Sequence, residues 1–173
     1  LPPTVAGFFL LLIFSLRRPF GKILMENFDF KVIQTWKGCV IAAAVIAFPL
    51  MYRNARAAFE QVDVNLIYAG QTLGMSDRRI FWKVIVPAAA PGIASGTVLA
   101  FARAIGEYGA TSMLAGNILG KTRTVSVAIA AETSAGNYDI AGFWVVVIVV
   151  ISFVIVALIN IVSGRGMKSR RWI

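Results

Sequence analysis

One uncharged stretch decides the fold: residues 142–162 read GFWVVVIVVISFVIVALINIV, 21 residues without Asp, Glu, Lys or Arg. An α-helix rises about 1.5 Å per residue, so about 20 apolar residues span the ~30 Å hydrocarbon core of a bilayer. The stretch therefore predicts a membrane-spanning helix, which we place at 142–163.

The composition of the whole chain agrees with a membrane protein. Of its 173 residues, 58% are apolar and only 14% are charged, whereas soluble domains carry about 25% charged residues. The 17 Lys and Arg outnumber the 8 Asp and Glu, which gives a net charge of +9. In a membrane protein such an excess marks cytoplasmic loops more often than a nucleic-acid surface. We therefore predict a lipid bilayer and no nucleic acid as partner.

The residue inventory excludes several kinds of chemistry. Histidine is absent, so the chain has no histidine triad, histidine metal site or histidine proton relay. A lone cysteine, Cys39, forms neither an internal disulfide nor a thiolate cluster. We predict that Cys39 packs as a small apolar residue, and that the chain has no catalytic, metal-binding or cofactor-binding residue.

Three further apolar segments lie before residues 142–162 in the chain. We predict spans at 36–52 and 88–113, and a partial span at 1–16 that is too short for a bilayer and whose start is missing. Polar connections lie between the spans at 17–37, 53–87 and 114–141. The pattern predicts an all-α, polytopic transmembrane helical bundle, formed by a single domain over 1–173 that lacks its N-terminal part.

The charge distribution suggests an orientation. A basic tail predicts a cytoplasmic C-terminus, and its cations are Arg165, Lys168, Arg170 and Arg171. Alternation of the spans then puts 53–87 in the cytoplasm and both 17–37 and 114–141 outside. Loop 17–37 is itself basic, an exception to the positive-inside rule. It either concentrates anions at the outer face or is a solvated or headgroup-binding loop.

The cytoplasmic loop carries two helical patterns separated by a glycine. Residues 68–74 read YAGQTLG, and nine residues later the sequence reads VIVP at 84–87. Gly74 can adopt the positive φ of a sharp corner, Ser76 is a good N-cap and Pro87 ends the second helix. The loop therefore predicts a helix–turn–helix that projects from the membrane. The alternative is an interfacial helix lying flat on the headgroups.

This spacing resembles the coupling loop of ABC importer permeases. In that signature Tyr68 stands where an acidic residue is usual, and Gly70 where an alanine is usual. The segments GEYGA at 106–110 and TRT at 122–124 are similar to permeases for tetrahedral oxyanions, above all the molybdate/tungstate branch. The resemblance covers essentially the whole chain.

The resemblance implies a type I importer permease in the prokaryotic inner membrane. It implies a homodimer, cytoplasmic ABC ATPase subunits that bind ATP and Mg²⁺, and an extracytoplasmic binding protein that delivers molybdate or tungstate. The alternative substrates are sulfate, thiosulfate or another small anion. A membrane-embedded enzyme and a passive channel subunit are the rival classes. Residues of loop 64–87 that it assigns to ATPase coupling are Ala69, Gly70, Thr72, Leu73, Gly74, Ser76, Val84, Val86 and Pro87.

Two charges lie inside the predicted span 88–113. Arg103 shares a face with small residues that recur every four positions, namely Gly92, Gly96, Ala100 and Ala104. Arg103 and Glu107 have three possible roles. They form an i,i+4 pair that rigidifies a gate, or Arg103 presents a transient positive site to an anion. The third alternative is that Arg103 snorkels to a helix end. The candidate gate or translocation path comprises Gly96, Ala100, Arg103, Glu107 and Thr111. In the outer loop, Lys121 and Arg123 either contact the binding protein or cap a helix end.

Overall fold

A computed structural model describes residues 2–168 of the chain, with side chains for 2–159. All regular structure in this part is helical, which confirms the all-α prediction. A π-helical turn, Phe81–Ile85, separates the fifth and sixth helices. The helices are α1 Pro3–Phe14, α2 Pro19–Phe28, α3 Trp36–Glu60, α4 Val64–Thr72, α5 Asp77–Ile80, α6 Val86–Ile105, α7 Gly109–Leu114, α8 Val125–Ser134 and α9 Tyr138–Lys168.

Three helical runs among the described residues are long and apolar enough to cross a membrane: Trp36–Glu60, Asp77–Ile105 and Tyr138–Ile159. The last contains most of the uncharged stretch 142–162, and its most apolar window has no buried residue. α1 is apolar but shorter. The predicted cytoplasmic cations Arg170 and Arg171 lie outside the described residues, so the orientation of the tail stays a prediction.

The chain forms two compact units, of which the first comprises Leu1–Ala47 and Ala102–Phe153. Its core joins α1, the α2–α3 connection, α3 and α7 through Leu10, Val32, Ala42, Ala110 and Leu114. α1 and α7 pack closely because Gly7 has no side chain. A Cβ added to Gly7 would lie 2.6 Å from Ala110 Cα.

The second unit comprises Phe48–Phe101 and Val154–Ile173, and it contains the close packing of α3 on α6. A Cβ added to Gly96 would lie 2.5 Å from Asn54 Cβ, and one added to Gly92 would lie 2.6 Å from Ala58 Cβ. The small residues on α6 therefore let a helix approach closely, as their spacing predicts. At Gly92 and Gly96 this helix is α3 of the same chain.

We expect Gly96→Ala to destabilise the protein by about 1–3 kcal/mol, because the added methyl group overpacks the contact with Asn54. Thermal unfolding of the detergent-solubilised protein measures this change. Gly142→Ala is the matched control, since Gly142 also lies within a helix but has nothing within 4 Å of an added Cβ. Equal unfolding temperatures for the two variants would contradict the packing role of Gly96.

The helix that contains the predicted span 36–52 is longer than that span. α3 passes through Pro49 and continues to Glu60. Beyond Tyr52 the helix is polar, and the i,i+4 pair of Arg56 Nε and Glu60 Oε1, 2.7 Å apart, supports it. The prediction identified the apolar part of the helix, but the helix itself extends past it.

The predicted span 88–113 is interrupted. α6 ends at Ile105, and α7 starts again at Gly109. The backbone between them turns at Gly106, and Glu107 Oε1 accepts a hydrogen bond from Ala110 N–H at 2.7 Å. This side chain supplies the partner that the first turn of a new helix lacks. The polar connections 17–37 and 114–141 also contain helices, α2 and α8.

Candidate functional site

The corner of the loop 64–87 lies at the predicted glycine. Gly74 has a φ of +71°, directly after α4. Its N–H donates to Gln71 O at 2.9 Å, and Met75 N–H donates to Gly70 O at 3.1 Å. These two bonds satisfy carbonyl groups at the end of the helix and fix the corner, in the pattern of a Schellman motif.

We call residues 64–80, which comprise α4, the corner and α5, the knob. Its inner side is packed: Ile80 is only 2% exposed, and a Cβ added to Gly70 would lie 3.0 Å from Ile80 Cγ1. Its outer side is apolar and open, with Tyr68 58% and Leu73 79% exposed. Ala69 and Thr72 are also exposed. The knob therefore presents an apolar tip on a fixed backbone.

Two residues that stabilise the knob were not singled out from the sequence. Asp63 caps α4, because its carboxylate accepts a hydrogen bond from Asn65 N–H at 2.9 Å. An aspartate just before an apolar helix is a recognisable N-cap signal. Ile80 has no comparable signal, since only its tertiary contact with Gly70 distinguishes it. The predicted N-cap Ser76 stands at the N-cap of α5 but makes no side-chain capping bond.

Pro87 does not end the second knob helix, so that prediction is wrong. Helical backbone runs without a break from Asp77 to Ile105, and the turn just before Pro87 is π-helical. Val86 N–H donates to Phe81 O, five residues back. The ring of a proline clashes with the carbonyl four residues earlier in an α-helix. A wider π turn accommodates such a disruption, so the helix continues. Val84 lies within the π turn, and Val86 starts α6.

Aromatic side chains pack together at the π turn. The Phe59 ring of α3 stacks on Phe81 with centroids 6.2 Å apart, and Phe81 meets Trp82 edge-on at 5.2 Å. Offset and edge-to-face pairs of this kind are stabilising. The π turn that follows the knob thus contacts α3 as well as continuing into α6.

An ion pair between the half-buried Arg103 and the buried Glu107 lies at the break between α6 and α7. Arg103 Nη2 lies 2.9 Å from Glu107 Oε2, and the Glu107 side chain is 1% exposed against 36% for Arg103. Oε2 makes no hydrogen bond of good geometry among the described residues, so the contact with Arg103 is electrostatic. Oε1 binds Ala110 N–H. The predicted i,i+4 pair exists, but Glu107 lies beyond the end of α6.

We expect a depth for this pair by taking the end of α1 as the membrane surface. Gly109 packs against α1 near its start, where an added Cβ would lie 3.2 Å from Thr4 N. From Thr4 to Phe14, the end of α1, the helix rises about 15 Å, half of a ~30 Å hydrocarbon core. A carboxylate at that depth needs a partner, and Arg103 provides it.

An open cleft of about 350 Å³ lies beside the pair, in the first unit. Glu107 and Thr111 line it, and its other walls are mainly aliphatic. Cys39 also lines it, and its thiol donates to Thr122 O, with Sγ 3.5 Å from that oxygen. The cleft offers an anion no uncompensated positive charge.

The remaining candidate path residues fall in different places. Thr111 is 2% exposed, within α7. Ala100 is buried on α6, and Gly96 contacts α3. The structure therefore brings Arg103 and Glu107 into contact and puts Thr111 on the same cleft as Glu107, whereas Gly96 serves helix packing.

Comparison with known proteins identifies the family. Residues 1–164 match the family described as "Binding-protein-dependent transport system inner membrane component". The chain belongs to this family. As a member, it is an inner-membrane transport component with the fold of a type I ABC permease, which confirms the predicted fold class.

Individual relatives of this inner-membrane component are also transport permeases. The chain is 45% identical over 160 residues to the putative molybdenum transport permease YvgM of Bacillus subtilis, covering 92% of the chain and 70% of the relative. It is 46% identical over 129 residues to the molybdenum transport permease ModB of Escherichia coli K12, and this match covers 75% of the chain and 56% of the relative. It is 34% identical over 165 residues to the sulfate transport permease CysT of Salmonella typhimurium, and this match covers 95% of the chain and 59% of the relative.

In the loop after α7, Arg123 has a partner within the chain. Arg123 Nη2 donates to Glu132 Oε1 at 2.9 Å, and Asn137 Nδ2 donates to Glu132 Oε2 at 2.9 Å. The hydrogen bond from Asn137, and after it the Arg123 guanidinium, hold the pKa of Glu132 below its ordinary value. Arg123 thus ties the start of α8 to its last turn.

Acid is expected to remove the contribution of Glu132 to stability. Because the folded pKa is lowered, this contribution is complete above the ordinary glutamate pKa of about 4.3 and is lost as the pH falls through the folded pKa. The difference in unfolding temperature between wild type and Glu132→Gln should therefore shrink between pH 7 and pH values below about 4. Glu26→Gln controls for general acid effects, and a constant Glu132→Gln difference would contradict the expectation.

Proposed function

We propose that this chain is the membrane-spanning subunit of an ATP-driven importer that translocates a tetrahedral oxyanion, molybdate or tungstate. The relatives named for molybdenum transport are 45% and 46% identical to the chain, whereas CysT, named for sulfate transport, is 34% identical. Sulfate or thiosulfate is the second candidate, because the CysT match extends over 95% of the chain.

The knob carries the proposal of ATP coupling. In this proposal the chain has no nucleotide site of its own and receives mechanical work through contact with an ATPase. The exposed tip formed by Tyr68 and Leu73 suits insertion into a groove of a cytoplasmic ABC ATPase. A fixed corner at Gly74 and the buried Ile80 keep the tip from deforming under load. In this proposal the partner binds ATP and Mg²⁺ and performs hydrolysis, and this chain contributes no catalytic group.

The proposed assembly contains two copies of the chain, two ATPase subunits and an extracytoplasmic binding protein that delivers the anion. The C-terminus is cytoplasmic, on the same side as the knob. Closure of the ATPase dimer draws the knobs together and rocks the spans. Because Glu107 neutralises Arg103, this pair offers the anion no strong binding site. Selectivity then lies mainly with the binding protein.

Anion-stimulated ATP hydrolysis tests the proposal. The complete complex, reconstituted in proteoliposomes with its binding protein, is supplied in turn with molybdate, tungstate and sulfate. We expect molybdate or tungstate to stimulate hydrolysis and ATP-dependent uptake. Stimulation by sulfate alone would favour the second candidate. Anion flux that needs no ATP would identify a passive channel and contradict the proposal.

A further inference from the structure

The helix α2 is fixed at the level at which α1 ends. Gly21 lies so close to α1 that an added Cβ would be 2.6 Å from Phe14 O. On the same side of α2, Leu24 packs against the core of the first unit. Since α1 is an apolar helix that ends at Phe14, α2 lies where the hydrocarbon gives way to the headgroups.

A second side of α2 continues the apolar surface of α1. Phe20 and Ile23, three residues apart and thus on one face, are each 52% exposed. The Phe20 ring meets the Phe14 ring edge-on, with centroids 5.7 Å apart. Along α1 the exposed surface includes Phe9 and Ile13. The contact between Phe14 and Phe20 therefore joins the apolar helix α1 to the exposed apolar side of α2.

Basic side chains border this apolar surface. Arg17 and Arg18 are exposed in the turn between α1 and α2, and among the described residues neither has a carboxylate within 4.0 Å. Lys22, exposed on α2, has only Glu26 nearby, at 3.6 Å. The next span begins with Trp36, which is 64% exposed and of the residue type that marks the membrane interface.

We propose that this surface, residues 15–28, binds an anionic phospholipid. Its phosphate contacts Arg17, Arg18 and Lys22, and its acyl chains lie on Phe20 and Ile23. An amphipathic helix with basic and aromatic residues at the bilayer surface is suited to such a lipid. A soluble protein is a poorer occupant, because Phe20 and Ile23 are continuous with the surface that α1 turns to the hydrocarbon. The inference does not depend on which anion the transporter moves.

The test is the affinity of the intact detergent-solubilised complex for dioleoylphosphatidylglycerol, measured by native mass spectrometry. Loss of one basic residue at a membrane surface weakens binding roughly fivefold, so Arg17→Gln with Arg18→Gln should weaken it roughly 30-fold. Lys31→Gln with Lys121→Gln removes the same charge from two other exposed positions and should leave the affinity unchanged. Phe20→Ser with Ile23→Ser should weaken binding as well.

Three outcomes would overturn the proposal. One is a double arginine variant with wild-type affinity for the lipid. Another is competition for the lipid by millimolar inorganic phosphate, which would indicate a site for free anions. The last is weakened binding of the extracytoplasmic binding protein at unchanged lipid affinity, which would make the surface a protein contact.

Discussion

Replacing Gly74 with valine is expected to reduce anion uptake by roughly tenfold or more, while the protein still enters the membrane. A non-glycine residue in the left-handed region costs about 1–2 kcal/mol, and a β-branched residue is a true outlier there. Because Gly74 has a φ of +71°, valine would open the corner and displace Leu73 from its place at the tip. Uptake of molybdate into proteoliposomes, together with anion-stimulated ATP hydrolysis, measures the loss of coupling.

Two variants make this test specific. Gly120 has a φ of +72° and, like Gly74, nothing within 4 Å of an added Cβ, but it lies in the loop after α7. Gly120→Val therefore imposes the same strain outside the knob and should leave coupling intact. Gly74→Asn should restore much of the uptake, since asparagine tolerates the left-handed region. Equal losses in Gly74→Val and Gly120→Val would refute a special role for the knob.

Replacing Glu107 with alanine is expected to destabilise the protein by about 3 kcal/mol or more and to abolish transport. The change leaves Arg103 unpaired about half-way through the membrane and removes the acceptor of Ala110 N–H. Breaking a buried pair by removing one partner is far more costly than removing both. The thermal unfolding of the solubilised protein and its yield from membranes measure the effect.

A pair of further variants separates stability from transport. Arg103→Met with Glu107→Gln removes both charges and keeps an oxygen for Ala110, so it should recover most of the lost stability. Arg103→Ala leaves the buried Glu107 carboxylate unpaired beside the cleft, so it should lower stability as well as transport while the protein still inserts into the membrane. Wild-type uptake by Arg103→Ala would exclude a role for Arg103 in the pathway. A double variant as unstable as Glu107→Ala would show that the ion pair is not the cause.

The break between α6 and α7 shows what the sequence alone could not predict. Hydropathy continues through residues 88–113 with little change, so it indicates one helix. The interruption depends on Gly109 fitting against Thr4 and on the Glu107 carboxylate reaching Ala110, contacts that only the folded chain forms. By contrast, the corner at Gly74 is a local effect of one glycine and could be predicted directly.

For a similar reason, the sequence predicts the stretch 142–162 better than it predicts the end of α3. The uncharged stretch 142–162 fixes a span because no other environment suits 21 such residues. The end of α3 is set by hydrogen bonding and by pairs such as Arg56–Glu60, which hydropathy does not report. Apolar patterns therefore located helices long enough to cross a membrane, while helix ends and the π turn depended on local polar contacts and on Pro87.

The π turn at Phe81–Ile85 also sets how far α6 is rotated about its axis relative to the knob. A π turn holds one residue more than an α turn, so the side chains of α6 point in the directions they would have in a regular helix one residue shorter. Deleting one residue within the turn would keep the side-chain directions of α6 relative to the knob, but it would return Pro87 to a regular α-helical turn, in which its ring clashes with a carbonyl. The same deletion inside α6 would rotate everything beyond it by about 100°. The extra residue of the π turn therefore helps to set the rotation at which Gly92 and Gly96 face α3.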